Sequence, residues 1–303
     1  MNFRIIFVLI VGIISISLSA IFIRMCSDMT SLSIAVFRLV ISSLILISIA
    51  FFRKVKLDKI QKKDLVLMIL GGFFLAFHLL AWITSLKYTS VANSVALVTT
   101  NPIFVGVFSV FVLKNKLERE IVIGIVLSVL GSFLISRGYV GASIETPNHI
   151  LGDLLAILGA VFASGYILIG SIVRERVETF EYILVIYTIT SVILLIIGLI
   201  ASVTFFKGHS LFLGFSLKSY IFVFLLAVVS QLLGHTSFNY SLKFLKPDFV
   251  AIVILGEPIG ASIFAYFLFR ERVSLIQLTG MALIFIAVII SSRKGKRIEE
   301  IVD

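Results

Sequence analysis

Long apolar runs alternate with short polar turns along this chain. A helix needs about 20 apolar residues to cross the hydrocarbon of a bilayer. Runs of that order cover 4–25, 32–52, 65–86, 91–113, 120–137, 151–173, 182–205, 219–241, 248–269 and 274–292. Their length, rather than any strict alternation, marks them as helices and not strands. The turns are short; the longest, Arg137–Ile150 and Phe206–Lys218, leave no room for a soluble domain. The pattern predicts an all-α membrane protein of ten transmembrane helices. Met1–Ala20 mimics a signal peptide, with a basic Arg4, an apolar stretch and a small-residue end. Its apolar stretch continues to Met25 and nine similar segments follow, so it is read as an uncleaved first span.

Composition narrows the class further. Of the 303 residues 60% are hydrophobic and 14% charged, and the mean hydropathy is +1.17. A soluble chain carries about 25% charged residues, so a soluble enzyme, a disordered protein and a secreted disulfide scaffold are all excluded. Cys26 is the sole cysteine, which excludes an intramolecular disulfide and a cysteine-rich metal site. The net charge of +10 is explained by where the basic residues fall. With the N-terminus inside, eighteen of the 26 Lys and Arg lie on inner segments and seven on outer ones, while Arg38 lies within a span. That is the bias expected of cytoplasmic loops, and it supports an even span count with both termini in the cytoplasm. No basic helix or RNA-binding motif accompanies the charge, so nucleic acid is not an expected partner.

The chain repeats itself. At an offset of 156 positions, without a gap, Ser85-Leu86-Lys87 falls on Ser241-Leu242-Lys243 and Pro102-Ile103 on Pro258-Ile259. Phe108 and Phe111 fall on Phe264 and Phe267, and Lys114-Asn115-Lys116-Leu117 on Arg270-Glu271-Arg272-Val273. Gly124 and Leu127 fall on Gly280 and Leu283. Two of the four prolines thus occupy equivalent places in spans 4 and 9. The unit is about five spans, an odd number, so the second copy enters the membrane from the opposite side. We place repeat 1 at 1–140 and repeat 2 at 141–303. Inverted repeats of this kind underlie alternating access in many secondary transporters. A proline in mid-span frees a backbone carbonyl, and such irregularity is tolerated at depth only where protein or a polar cavity covers it. Pro102 and Pro258 therefore mark either a central site or kinks that serve packing alone.

Several segments resemble a known family. They are Trp82-Ile-Thr-Ser-Leu-Lys-Tyr-Thr-Ser90 leading to Thr99-Thr-Asn-Pro102, Leu255-Gly-Glu-Pro-Ile259 with its Phe269-Arg-Glu-Arg272 turn, and Gln231-Leu-Leu-Gly-His-Thr-Ser-Phe-Asn239. Together they resemble the EamA-like branch of the drug/metabolite transporter superfamily, over nearly the whole chain. The resemblance implies two five-helix repeats, a central cavity, and export or uptake of small metabolites such as amino acids. Its motifs are architectural and fix no substrate. The first turn departs from the usual form, reading Lys114-Asn115-Lys116.

Nearly all charged residues sit in turns or at span ends; Arg38 and Glu257 are the deep exceptions. A charged group at mid-bilayer costs about 2.5–3.5 kcal/mol on insertion scales, so such a residue usually faces a cavity or a partner. Glu257, immediately before Pro258, suits proton binding in a coupled carrier; alternatively it caps backbone freed at the kink. Arg38 presents a planar fork suited to a substrate carboxylate; alternatively it snorkels outward or pairs with a helix end. On an α-helix Gln231, His235 and Asn239 share one face, as do His78 and Trp82 in the equivalent span 3. The two stripes line a cavity or make interhelical hydrogen bonds. Asn101 precedes Pro102 as Glu257 precedes Pro258, an amide in one repeat and an acid in the other. Thr99, Thr100, Tyr166 and Tyr187 are further lining candidates, with helix packing as their alternative. Gly71, Gly72, Gly131, Gly159, Gly165 and Gly170 are read as close-packing positions.

There is no phosphate-binding Gly-rich loop, no His-Glu-x-x-His and no triad spacing. No catalytic residue, metal or cofactor is expected. The expected partners are a small-molecule substrate, the lipid bilayer and, as an open alternative, a second copy in a homodimer. The sequence thus predicts a secondary transporter in the cytoplasmic (inner) membrane. An intramembrane enzyme acting on a lipid-linked substrate is the rival, and it would need a carboxylate or His pair converging at the membrane surface.

Overall fold

The computed structural model describes residues 2–137, 148–204, 211–269 and 273–297. The proposed repeat boundary at 140/141 and the Arg270-Glu271-Arg272 turn lie outside the described residues. Among the described residues the chain is helical, and no strand forms beyond one isolated bridge between Leu245 and Lys296. Ten segments are long and apolar enough to cross a membrane. Spans 1–5 are Phe3–Met25, Ser31–Arg53, Lys62–Tyr88, Asn93–Phe111 and Arg119–Arg137. Spans 6–10 are His149–Val173, Thr179–Thr204, Leu217–Ser241, Pro247–Phe264 and Leu275–Ser292. All begin within a few residues of the apolar runs, because helix entry is signalled locally. Thr30, Ser90, Ser216 and Ser274 each accept a hydrogen bond from the backbone N–H three residues on, as N-caps do.

Packing follows the repeat. Span 3 lies along span 6, and span 1 along span 8. Span 2 packs on span 7, span 4 on span 9, and span 5 on span 10. A shift of five spans turns the first pair into the second and each of the other three into itself. This is the two-fold relation that a pair of inverted five-helix repeats requires.

Both proline-bearing spans are broken at equivalent points. Span 4 falls on two helices, Val91–Val98 and Asn101–Phe111, and span 9 on two, Pro247–Ile254 and Gly256–Phe269. The breaks at Thr99–Thr100 and Leu255 differ by the repeat offset of 156 at Thr99 and Leu255. Proline lacks the N–H that would continue the preceding helix, so each new half-helix starts with its proline in the first turn. In span 4 the Thr100 N–H bonds to Leu97 instead of Ala96, and the Thr99 hydroxyl reaches the Ala96 carbonyl at 3.1 Å. In span 9 the Ser17 hydroxyl of span 1 reaches the Glu257 carbonyl at 3.2 Å.

Span 8 departs from the expected α-helix. Leu226–His235 is π-helical, between α-helical Leu217–Leu225 and Thr236–Ser241. Within this stretch Gln231 meets Arg38 of span 2, while His235 lies in the wall of the central cavity.

At one end, turns of the two halves are tied by ion pairs from Asp64 to Arg176 (2.7 Å) and from Glu118 to Lys246 (4.0 Å). Arg174, in the turn between spans 6 and 7, is fully buried and donates through Nε to the Asn239 carbonyl at 3.0 Å. At the opposite end Cys26, just past span 1, is 1% exposed against the Ser219 carbonyl. Its thiol is pushed up to about 12, first by desolvation and then by the Asp28 carboxylate. At about pH 8 the native thiol should react with a water-soluble maleimide about three orders of magnitude more slowly than the unfolded one, whose pKa is near 8.5. Equal labelling before and after denaturation would show that Cys26 is not sealed.

Candidate functional site

The broken helices meet a cavity at the centre of the bundle. Its wall is mostly apolar, built from Ile16 of span 1, Val98 of span 4, Ile167 of span 6, Phe238 of span 8 and Ile254 of span 9. The polar groups in that wall are few. They are His78, Trp82, Thr99, Asn101, Tyr166, His235, Asn239 and Glu257, with Ser19 at the edge. All eight are among the candidates that the sequence singled out, and they come from spans 3, 4, 6, 8 and 9. Gln231 and Arg38 are placed beside the cavity and not in its wall.

Spans 3 and 8 bring their aromatic rings together. His78 and Trp82, one turn apart, are parallel with centroids 6.2 Å apart. His235 lies 6.3 Å from His78 and 6.3 Å from Tyr166. His78 holds the Gly159 carbonyl at 2.9 Å through Nδ1, and a carbonyl only accepts, so Nδ1 carries the hydrogen. The Trp82 Nε1–H and the Asn101 Oδ1 have no hydrogen-bond partner although both are buried.

Span 8 divides its polar stripe. Asn239 engages the Tyr166 hydroxyl, with Nδ2 at 2.6 Å, and lies 3.2 Å from the Tyr187 hydroxyl. Gln231 turns instead towards span 2, where its Oε1 accepts from Arg38 Nε at 2.7 Å. Arg38 is 0% exposed, so it does not snorkel. Its two terminal nitrogens have no partner.

Glu257 opens the second half of span 9 and is 8% exposed. Among the described residues its carboxyl has no hydrogen-bond or ion-pair partner, so it does not cap the freed backbone. The contribution of span 1 was missed in the sequence. The available signal was its run of small polar residues: Ser15, Ser17 and Ser19 are all buried. In a helix this apolar, serines that remain buried mark a face turned to other helices rather than to lipid. Among the described residues no cluster of His, Cys, Asp or Glu could hold a metal ion.

The cavity holds about 70 Å³. That is room for a few waters, at about 10–15 Å³ each, and far below the roughly 300–1,000 Å³ of a ligand pocket. A metabolite enters only if the helices part.

The architecture has clear relatives. The sequence profile of the EamA-like transporter family matches residues 3–137 and again 150–293. The chain belongs to the EamA-like transporter family. The chain is similar to the uncharacterized transporter YxxF of Bacillus subtilis (strain 168), 26% identical over 80% of this chain and 75% of that protein. It is also similar to the uncharacterized transporter YetK of the same organism, 25% identical over 46% of this chain. The match spans 43% of the length of YetK. A solved crystal structure shares the fold, with a TM-score of 0.77 at 16% identity, covering 97% of this chain and 98% of that one. As an EamA-like protein with ten apolar spans, the chain is a multi-pass membrane transporter.

Proposed function

We propose that the protein is a secondary carrier of small metabolites, such as amino acids, that works by alternating access around the central cavity. It would lie in the cytoplasmic membrane with both termini inside, as the distribution of basic turns supports. The observation that carries the reading is the cavity itself. It sits where the broken spans 4 and 9 meet spans 1, 3, 6 and 8, and it is too small for a solute in this state. A narrow central cavity between inverted halves suits a carrier that opens to one side at a time. Solute would meet His78, Trp82, Asn101, His235 and Asn239. Glu257, protonatable and unpartnered, would carry the coupled proton.

Reconstitution in proteoliposomes tests this. Preloaded vesicles should show solute-specific counterflow for members of a panel of amino acids and related metabolites. Flat counterflow across a broad panel, with protein that is folded and monodisperse, would overturn the reading. Within that assay, His235→Ala and Trp82→Phe should raise the half-saturating solute concentration about ten-fold, the weight of one lost polar or ring contact of roughly 1.4 kcal/mol. Membrane abundance should be unchanged. A fall in folded protein with no change in affinity would assign both residues to packing.

A further inference from the structure

Beside the central cavity lies a buried positive charge, Arg38, with no ion-pair partner among the described residues. Arg38 is buried, only its Nε is committed, and both terminal guanidinium nitrogens are free. Desolvating a charge without an ion pair is among the costliest arrangements a protein interior can hold. The neighbouring free groups are also donors. Because Gln231 Oε1 accepts from Arg38, the amide orientation is fixed and its Nε2 points a second set of hydrogens away; Nε2 has no partner. Trp82 Nε1–H is the fourth unpartnered donor. Against these stand one free amide oxygen, on Asn101, and the carboxyl of Glu257. With a proton on Glu257, the site has a net positive charge and an excess of donors, which an acceptor-rich anion would satisfy.

We propose that the transported solute carries a carboxylate, and that Arg38 with Gln231 forms the anion-binding pole of the transport site. This deepens the carrier reading and rests on it. The planar guanidinium fork matches the two oxygens of a carboxylate. The apolar remainder of the wall suits a hydrocarbon body. Arg38 stands one step outside the cavity as it is now shaped. The segment between them is the π-helical run, which carries Gln231 beside Arg38 and His235 in the wall. π-Helical turns recur at functional sites, and a cavity of this size must widen to admit a solute. Widening at that turn brings the free guanidinium nitrogens into the wall.

Trp82 is the sole tryptophan and lines the cavity, so its fluorescence reports binding without any flux. The test uses the purified full chain in nanodiscs and four solutes of one carbon skeleton: 4-methylpentanoate, its amide, the corresponding primary amine and the corresponding alkyl phosphate. The acid should bind at least about ten-fold more tightly than the amide or the amine, a preference worth roughly 1.4 kcal/mol, and more tightly than the phosphate. Arg38→Lys should keep that order, and Arg38→Met should bring acid and amide within about two-fold of each other. An amide that binds as well as the acid, in the wild type, overturns the proposal whether or not any variant folds. So does an undiminished acid preference in Arg38→Met. Equal binding of the phosphate overturns the carboxylate assignment. Acid-selective binding with no counterflow would overturn the carrier reading and leave this site standing. Counterflow that ignores the charge of the solute would do the reverse.

Discussion

Gly280→Val is expected to remove nearly all folded protein from the membrane, and Gly131→Val to do the same. These residues lie where spans 5 and 10 cross. A Cβ added at Gly280 would stand 2.5 Å from the Gly131 carbonyl oxygen and 3.0 Å from the Ile135 nitrogen. One added at Gly131 would stand 2.6 Å from the Gly280 carbonyl oxygen. Both obstacles are backbone, so no rotamer change relieves them, and the helices must separate. Between helices in lipid, close packing is itself the main attraction, since the solvent is as apolar as the side chains. Overpacking a core costs about 1–3 kcal/mol when side chains can adjust; a backbone clash on each of two helices costs more, a large part of the roughly 5–15 kcal/mol a domain possesses. Gly159→Ala is the control, because its Cβ would sit at an ordinary 3.4 Å from Trp82. Size-exclusion profiles and thermal unfolding of the three variants decide the matter. A monodisperse Gly280→Val with wild-type unfolding temperature would show that the two helices are not in close contact.

Glu257→Gln is expected to abolish proton-driven accumulation while leaving counterflow and folding intact. Glutamine keeps the size and polarity of the side chain and removes the exchangeable proton. The carboxyl touches no described partner, so no hydrogen bond or ion pair is lost with it. Accumulation driven by an imposed proton gradient should fall about ten-fold or more, to the level of downhill exchange, an effect of at least roughly 1.4 kcal/mol on the driving force. The dependence of uptake on external pH should flatten, since no other acid lies in the cavity wall. If gradient-driven accumulation and its pH dependence survive the substitution, Glu257 is not the coupling group.

Much of the architecture could be read along the chain because it is written in local signals. Hydropathy over some twenty residues gives the spans, and Thr30, Ser90, Ser216 and Ser274 announce where helices begin. Pro102 and Pro258 announce where two of them break, and their equivalence gives the repeat. The relation of spans 3 and 8 was legible for the same reason, and His78, Trp82 and His235 do meet. Other features could not be read along the chain. Gln231 belongs to the stripe of His235 and Asn239 but meets Arg38 of span 2, a partner that only the packing of the helices supplies. Ser17 and Ser19 were invisible because serine in a membrane helix is unremarkable until its neighbours are known. Arg174 lies in the turn between spans 6 and 7, and its burial against the Asn239 carbonyl could not be read from its place in the chain.

By itself, then, the sequence determined that the protein lies in a membrane, how many times it crosses, where its helices break and that its halves are inverted copies. These follow from transfer free energies and helix termination, which depend on neighbours along the chain. The tertiary structure alone decided which faces meet. It placed Arg38 against Gln231 with two nitrogens free, left Glu257 without a partner, pressed Gly131 onto Gly280 and contracted the cavity to a few waters. Those outcomes depend on distances between helices far apart in sequence, and no one-dimensional pattern encodes a distance.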